Sequence, residues 1–432
     1  MFKERLNQLT GVYDKGSSLK REVLAGFISF FAIVYIIIVN STILADAGIP
    51  VEAAVWATIL MSVAGCFIVG FGANLPLILV PGMGVNAMFT YTFVHSMGLT
   101  WQEALGVVFI SGIVFMVVAF TPLLQTLTKS IPSTLKDAIS VGLGLFLALI
   151  GLEKSHIVVK GEHSIIALGD IASPEVIAFF LTFLIAIILF LRNVPGNFLL
   201  TIFIGTMIAW MFGLLDVSQI GNSSLSANDY AGVFIGMSFD GITNIAFWIA
   251  VFSLTMVLVF ENIGLVNGQV MDAKQPEKYK AGVRAVSISA MFSGVFGSSP
   301  SVSTAEGAAG IAAGGRTGIT SIVTGILFLL SFFFIPFINV IPGSAISPIL
   351  IIVGALMVQN VRNINFQDLS DAIPAFLIMM MIPFSYSIAD GIAIGFIAYP
   401  ITKLAVGKAN EVSKPLYIIA GLFLFHFLLQ GV

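Results

Sequence analysis

Two carboxylates stand inside stretches that otherwise suit the middle of a membrane: Glu261 in "VLVFENIG" and Glu306 in "STAEGAAG". A charged side chain at that depth costs at least about 2.5 kcal/mol on insertion scales, so an acid kept there is expected to line a polar path or hold a ligand. Burial disfavours the charged form of a carboxyl group. Such a residue can carry a proton or accept hydrogen bonds from the N–H groups of a heterocycle. The competing reading is structural, each acid pairing with a neighbouring amide or base to hold helices together. Asn40 and Asn86 are the polar counterparts in the first half of the chain. A carboxamide offers a donor and an acceptor together, which suits the edge of a planar base as well as a neighbouring helix. Phe89 and Tyr91 are placed to stack on a planar ligand, although core packing is the commoner use of a membrane aromatic. The candidate binding residues are therefore Glu261, Glu306, Asn86, Asn40 and Phe89, with proton coupling assigned to Glu261 and Glu306. Asp390, in "SIADGIAIG", reads as a helix cap, and Arg316, in "GGRTG", as an anchor at a cytoplasmic helix end. The four histidines have no metal-ligand spacing, and no nucleophile–base constellation or phosphate loop stands in the right context. No metal, no cofactor and no enzymatic chemistry is expected.

The elements that must position these residues are membrane helices. Only 9% of the 432 residues are charged and 58% are hydrophobic, against about 25% charged in a soluble domain; this composition makes an integral membrane protein. Apolar runs leave no room for a soluble domain, and a net charge of -3 argues against nucleic acid as a partner. The polar N-terminus shows no cleavable signal pattern, so the first apolar run is expected to stay as an anchor. Spans of roughly 20 apolar residues are expected near 23–45, 52–72, 76–95, 103–125, 133–152, 174–191, 196–215, 245–270, 282–298, 301–314, 317–337, 345–360, 371–384 and 386–404. With the N-terminus in the cytoplasm, all but Lys154 and Lys160 of the 19 Lys and Arg residues fall on the cytoplasmic side, as the positive-inside rule requires. The loop 216–243 holds Asp216, Asp229 and Asp240 and no base, which suits an external loop. The last apolar stretch, from Pro415, is left open between crossing, lying on the surface and packing against the bundle.

The halves resemble each other. "SGIVFMVVAFTP" from Ser111 matches "TGILFLLSFFFIP" from Thr324, and "FAIVYIIIVNSTI" from Phe31 matches "FSLTMVLVFENIG" from Phe252, at offsets of 213 and 221 residues. Seven spans per half is an odd number, so the second half enters the membrane upside down, the plan of an alternating-access carrier. In that register "NLPLILVPGMGVNAMFTYTFV", from Asn74, pairs with "SSPSVSTAEGAAGIAAGGRTG", from Ser298. Pro76, Pro81 and Pro300 favour extended backbone before a small-residue helix, so both segments read as half strand and half helix. Non-helical backbone at membrane depth is tolerated where protein buries it or where it lines a wet cavity. Helix N-termini meeting there would offer amide hydrogens and positive dipole ends to a polar ligand.

These segments, together with "GFISFFAIVYIIIVNSTILADAGIP" and "IPAFLIMMMIPFSYSIADGIAIGFIAY", resemble the AzgA-like guanine/hypoxanthine/adenine permeases of the nucleobase:cation symporters, over about residues 8 to 405. The resemblance implies the uracil-permease fold, an all-α polytopic membrane protein of fourteen segments in two inverted sevens. It divides the chain into a cytoplasmic N-terminus (1–22), a core domain from 23–125 and 245–337, a gate domain from 126–215 and 338–405, an extracellular loop (216–244) and a C-terminal apolar segment (406–432). It further implies uptake of a purine base with a proton across the plasma membrane, a homodimer through the gate domain, and Asn86, Glu261 and Glu306 as binding residues. One departure stands out. Relatives often carry two acids in the eighth segment, in a pattern like F-x-D-x-F-D-T, where this chain has Leu258 and Glu261. The alternatives are an anion carrier of the sulfate or bicarbonate kind on the same fold, against which two acids at the site count, and a receptor or structural membrane protein without transport.

Overall fold

The computed structural model describes residues 7–8, 10–161, 164, 166–215, 230–333 and 340–430; the expectations for Asp216, Asp229 and His163 lie outside the described residues. The chain is mostly helical. Among the described residues eight helices are long and apolar enough to cross a membrane, and four shorter apolar helices accompany them.

Leu19–Ile33 (α1) begins four residues before the expected span, because the Ser18 hydroxyl accepts the Arg21 amide hydrogen and caps the first turn. The run continues, past an interruption at Val34 and Tyr35, as Ile36–Asp46 (α2). Val51–Phe67 (α3) follows and ends in a π-helical turn, Ile68–Ala73. A short strand, Leu79–Pro81 (β1), leads into Met83–Ala87 (α4), which a further π-helical stretch prolongs to Ser96. Trp101–Phe120 (α5) opens on a capping box in which the Thr100 and Glu103 side chains each take the other's backbone amide. Then come Leu123–Ser130 (α6), Ser133–Lys154 (α7), Pro174–Leu191 (α8) and Asn197–Met211 (α9). The second half holds Ile245–Asp272 (α10), Tyr279–Phe296 (α11), strand Ser301–Ser303 (β2), Gly307–Ala312 (α12) and Gly318–Leu330 (α13). Gly343–Val358 (α14), Leu369–Ser385 (α15), Ile388–Ala405 (α16) and Lys414–Gln430 (α17) complete it. Asp390 is not the cap of α16: the Ser387 hydroxyl takes that place by accepting the Asp390 amide, and Asp390 adds its negative charge to the first turn. The stretch from Pro415 packs against the bundle, with the Phe423 ring edge-on to Phe252 and Phe396 at centroid distances of 5.3 and 6.1 Å.

Helices pack in two groups. In one, α1 lies along α13, α3 along α13, and α5 along α10 and α11; in the other, α7 lies along α14 and α15, α15 along α16, and α9 along α8 and α14. Small residues set these approaches. A Cβ on Gly112 of α5 would stand 2.3 Å from the Met291 Cα of α11, so two backbones touch there. Hydroxyls stitch the same contacts. Ser111 donates to the Val251 carbonyl of α10 at 3.1 Å, and Thr324 of α13 donates to the Gly26 carbonyl of α1 at 3.0 Å.

The strands pair antiparallel, Leu79 opposite Ser303 and Pro81 opposite Ser301, and every one of their residues is buried. The Gly82 amide extends the pairing to the Pro300 carbonyl at 3.2 Å. Gly82 has to be small, since a Cβ would meet Val302 Cγ2 at 2.5 Å. A two-stranded ribbon leaves two outer edges of unpaired backbone groups, costly without water. Neighbouring helices supply the partners. In the chain leading into β1, the Leu75 and Leu77 carbonyls share the Ser321 hydroxyl of α13 at 2.7 and 2.6 Å, and Ser293 of α11 accepts from the Ser301 amide at 2.9 Å. From α10, Asn262 Oδ1 accepts the Ser303 amide at 2.9 Å, and the Gln269 carboxamide donates to the Thr304 carbonyl at 2.5 Å.

Gly112→Val should lower the unfolding free energy in detergent by about 1–3 kcal/mol, the usual cost of overpacking, whereas Gly268→Ala, with open space around its added methyl, should change it by less than about 1 kcal/mol. Thermal melts of the two purified variants beside the parent protein check this.

Candidate functional site

The strand ribbon ends at a cavity of about 580 Å³, within the usual range of about 300–1,000 Å³ for small-molecule pockets. Gly82, Met83 and Gly84 line it from the first interrupted segment, and Ser303 to Glu306 from the second. From α10, Val257, Glu261, Gly264 and Leu265 face it, the i, i+4, i+7, i+8 positions of one helical face. Asn262 and Gln269, seven residues apart, form a different face of α10, which holds β2. Turning one residue along the helix thus separates structural amides from the acid.

Both acids expected to do chemistry therefore share this cavity. Glu261 is half-buried, and its Oε2 atom has no hydrogen-bond partner among the described residues. A buried carboxylate oxygen without a partner is an acceptor left unsatisfied. Glu306 stands immediately before α12, and its Oε1 accepts the hydroxyl of the fully buried Tyr35 at 2.6 Å. The opposite wall is built by the first half of α7 and the end of α14. Asn360 donates to the Ser140 hydroxyl at 2.7 Å, and Lys136 places its ammonium 5.5 Å from the centre of the Phe260 ring. Asp137 also lines this wall and receives a weak contact from the Asn363 amide at 3.4 Å.

Asn40, Asn86 and Phe89 are not brought to the cavity. All three are fully buried. The Asn86 amide donates to Asn40 Oδ1 at 3.1 Å; the same oxygen accepts from Ser299 at 2.8 Å, and the Asn40 amide donates to Thr58 at 2.8 Å. The network holds α2, α3 and the approach to β2 together behind the ribbon, and Phe89 packs in the apolar core. Asn86 lies two residues beyond Gly84, about 200° round the helix, so its amide points toward α2 while Gly84 faces the cavity. Leu258, the departure from the family pattern, is also fully buried and absent from the cavity wall. Tyr91 serves elsewhere.

That place is the far end of α7. The helix has 22 residues and so runs about 33 Å; its cavity-lining residues lie between Ser133 and Leu143, whereas Glu153 and Lys154 close the other end. There Asp46, at the end of α2, accepts from Tyr91 at 2.6 Å and pairs with Lys154 at 2.5 Å, and the Tyr386 hydroxyl donates to Glu153. The Tyr91, Phe146 and Tyr386 rings meet edge to face. This cluster joins the two helix groups across the end opposite the cavity. Arg316 donates to the Ile311 and Gly315 carbonyls at 2.7 Å, at and just past the end of α12. No metal-binding group of His, Cys, Asp or Glu occurs among the described residues.

Sequence reasoning passed over Tyr35, Lys136, Asp137 and the Asp46–Lys154 cluster. Tyr35 carried a signal, a lone hydroxyl-bearing ring inside the apolar run "FAIVYIIIVN". The partners of the others lie on helices distant in sequence and left no such mark.

Comparison with known proteins follows the same direction. Residues 20–394 match the Permease family Xan_ur_permease. The chain is 51% identical over 386 residues to the nucleobase transporter PlAzg2 of Paenibacillus larvae, covering 89% of this chain and 77% of that protein. It is 37% identical to the guanine/hypoxanthine permease PbuO of Bacillus subtilis, over 95% of this chain and 98% of the relative, and 33% identical to the adenine permease AdeP of Escherichia coli, over 97% and 95%. In structure it resembles the transmembrane domain of the cyanobacterial bicarbonate transporter BicA, with a TM-score of 0.65 at 16% identity over 90% of this chain and 97% of that one, which places the fold. A multi-pass membrane chain whose two interrupted segments pair as strands, and whose sequence follows these permeases through most of its length, is a member of the Permease family, on the AzgA-like nucleobase branch that its signature segments resemble.

Proposed function

We propose that the protein is a secondary active transporter that takes up a purine base, adenine, guanine or hypoxanthine, together with a proton by alternating access. The observation that carries this reading is that Glu261 and Glu306 line one cavity beside the paired strands, in a chain whose relatives are named as guanine/hypoxanthine and adenine permeases. Purine rings carry N–H donors in a plane. Glu261 Oε2, unpartnered, and the Glu306 carboxyl offer acceptors for them at the end of the strand ribbon. In this reading the same two acids carry the coupling proton. Two acids facing the cavity disfavour an inorganic anion as cargo.

The fourteen segments in two inverted sevens, with core and gate domains as the resemblance divides them, belong to the same proposal. Support comes from the two helix groups, which follow that division, and from the exchange of Ser111 against α10 and Thr324 against α1. The plasma membrane, the cytoplasmic N-terminus and a homodimer rest on the charge pattern and the family. With that orientation the cavity opens to the cytoplasm, because it lies at the Ser133 end of α7 while the Asp46–Lys154 cluster closes the other.

Two experiments bear on this. Adenine, guanine or hypoxanthine should raise the unfolding temperature of the purified protein, by an amount equal to about 2.7 kcal/mol at a hundredfold excess over Kd; Glu261→Gln and Glu306→Gln should lose the shift and the pH-gradient-driven uptake of labelled base into proteoliposomes. Stabilisation by sulfate and by none of the bases would replace the purine reading with the anion one. The second concerns the open side. Cys66, the sole native cysteine, is fully buried, so Ser140→Cys gives a single reporter. Impermeant maleimide should label it in inside-out vesicles several-fold faster than in right-side-out ones, and saturating purine should slow that labelling.

A further inference from the structure

Tyr35 stands at the interruption between α1 and α2, where the first apolar run leaves its regular hydrogen-bond ladder. It lines the cavity, yet none of its surface is exposed. One end of the side chain donates to Glu306 Oε1 at 2.6 Å; its ring meets Phe198 of α9 edge to face at 4.8 Å, and Phe198 stacks in turn on Phe190 of α8 at 5.8 Å. A single residue of the α1–α2 group thus holds the candidate ligand-binding carboxylate and leans on the opposite helix group. The geometry points to Tyr35 as a positioning residue: it fixes one oxygen of Glu306 and leaves the other for the ligand's N–H, and its backing by Phe198 makes that grip sensitive to where α9 stands. A hydroxyl group serves because it donates to an ionised carboxylate and swings to accept from a protonated one, so Glu306 stays held through the proton cycle. The other titratable or charged groups lining the cavity are Glu261, Lys136 and Asp137, while the Tyr35 hydroxyl is taken by Glu306. This inference rests on the purine-transport reading.

The test is uptake of labelled purine base into proteoliposomes of the full chain. Tyr35→Phe keeps the ring and removes only the donor. It should raise KM about tenfold, the worth of one hydrogen bond to a charged group, with Vmax within about twofold of the parent. In a Glu306→Asp background, where the carboxylate is drawn back by one methylene from the hydroxyl, the same substitution should change KM by less than about threefold. Phe198→Leu, which keeps the hydroxyl and loosens its backing, should raise KM in the same sense by a smaller factor, and carries the test alone if Tyr35→Phe does not insert as a folded protein. An unchanged KM in Tyr35→Phe and Phe198→Leu, or an equal effect of Tyr35→Phe with Glu306 and with Asp in its place, overturns the assignment while purine transport stands. If the parent protein takes up no purine, both readings fall together.

Discussion

Backbone amides and carbonyls deprived of water govern this architecture more than any single side chain. A helix satisfies its own, but β1 and β2 abandon helical geometry among buried residues, where an unpaired group costs several kcal/mol. Pairing the strands with each other answers half of the requirement. The other half falls to Ser293, Asn262 and Gln269, on helices packed against β2, while Ser321 of α13 serves the chain leading into β1. This explains why a greasy chain places serines and carboxamides at fixed steps along its helices: they complete a hydrogen-bond ladder that belongs to another segment. It also explains why the ribbon ends beside the cavity, since the helix starts that follow β1 and β2 open onto it.

Charges at the helix ends follow the same logic on the side of α1. The Glu22 carboxylate, fully buried, accepts the Arg316 and Thr317 amides at 2.9 and 3.2 Å and the Thr320 hydroxyl at 2.7 Å, and so caps the start of α13 from another helix. Arg316 then covers the carbonyls that end α12. Negative charge at an N-terminus and positive charge at a C-terminus both complement the helix dipole. Arg316, which reads in sequence as an anchor at a helix end, thus shares with Glu22 a joint between the first span and the second interrupted segment.

Much of this was legible beforehand, and the pattern of failures has a physical cause. Composition fixed the class, and proline placed the extended stretches at Pro81 and Pro300, because ring closure acts on its immediate neighbours. Glu261 and Glu306 stood out because an acid is conspicuous in an apolar run, and they do meet in one cavity. Asn40 and Asn86 were equally conspicuous but turn away from it to bond each other, and sequence spacing does not say which way a residue at the end of a one-turn helix faces. Leu258 and Glu261 illustrate the point: three residues apart on one helix, one is packed and the other lines the cavity. The roles of Tyr35 and the Asp46–Lys154 cluster depend on contacts between segments tens to hundreds of residues apart, such as Tyr35 with Glu306 and Asp46 with Lys154, whose pairing a single sequence does not encode.

The cluster that shuts the end of the molecule away from the cavity is built from partly wetted groups: the Asp46 and Lys154 side chains keep 33% and 19% of their surface accessible. Ion pairs of that kind contribute about 1 kcal/mol or less. In the alternating-access reading proposed above, a seal made this way closes through several weak bonds acting at once and parts without a large barrier, since each group regains water as soon as it lets go. On that reading reversibility follows from the choice of partly wetted partners, where an apolar plug of the same size would hold one arrangement at the expense of the other.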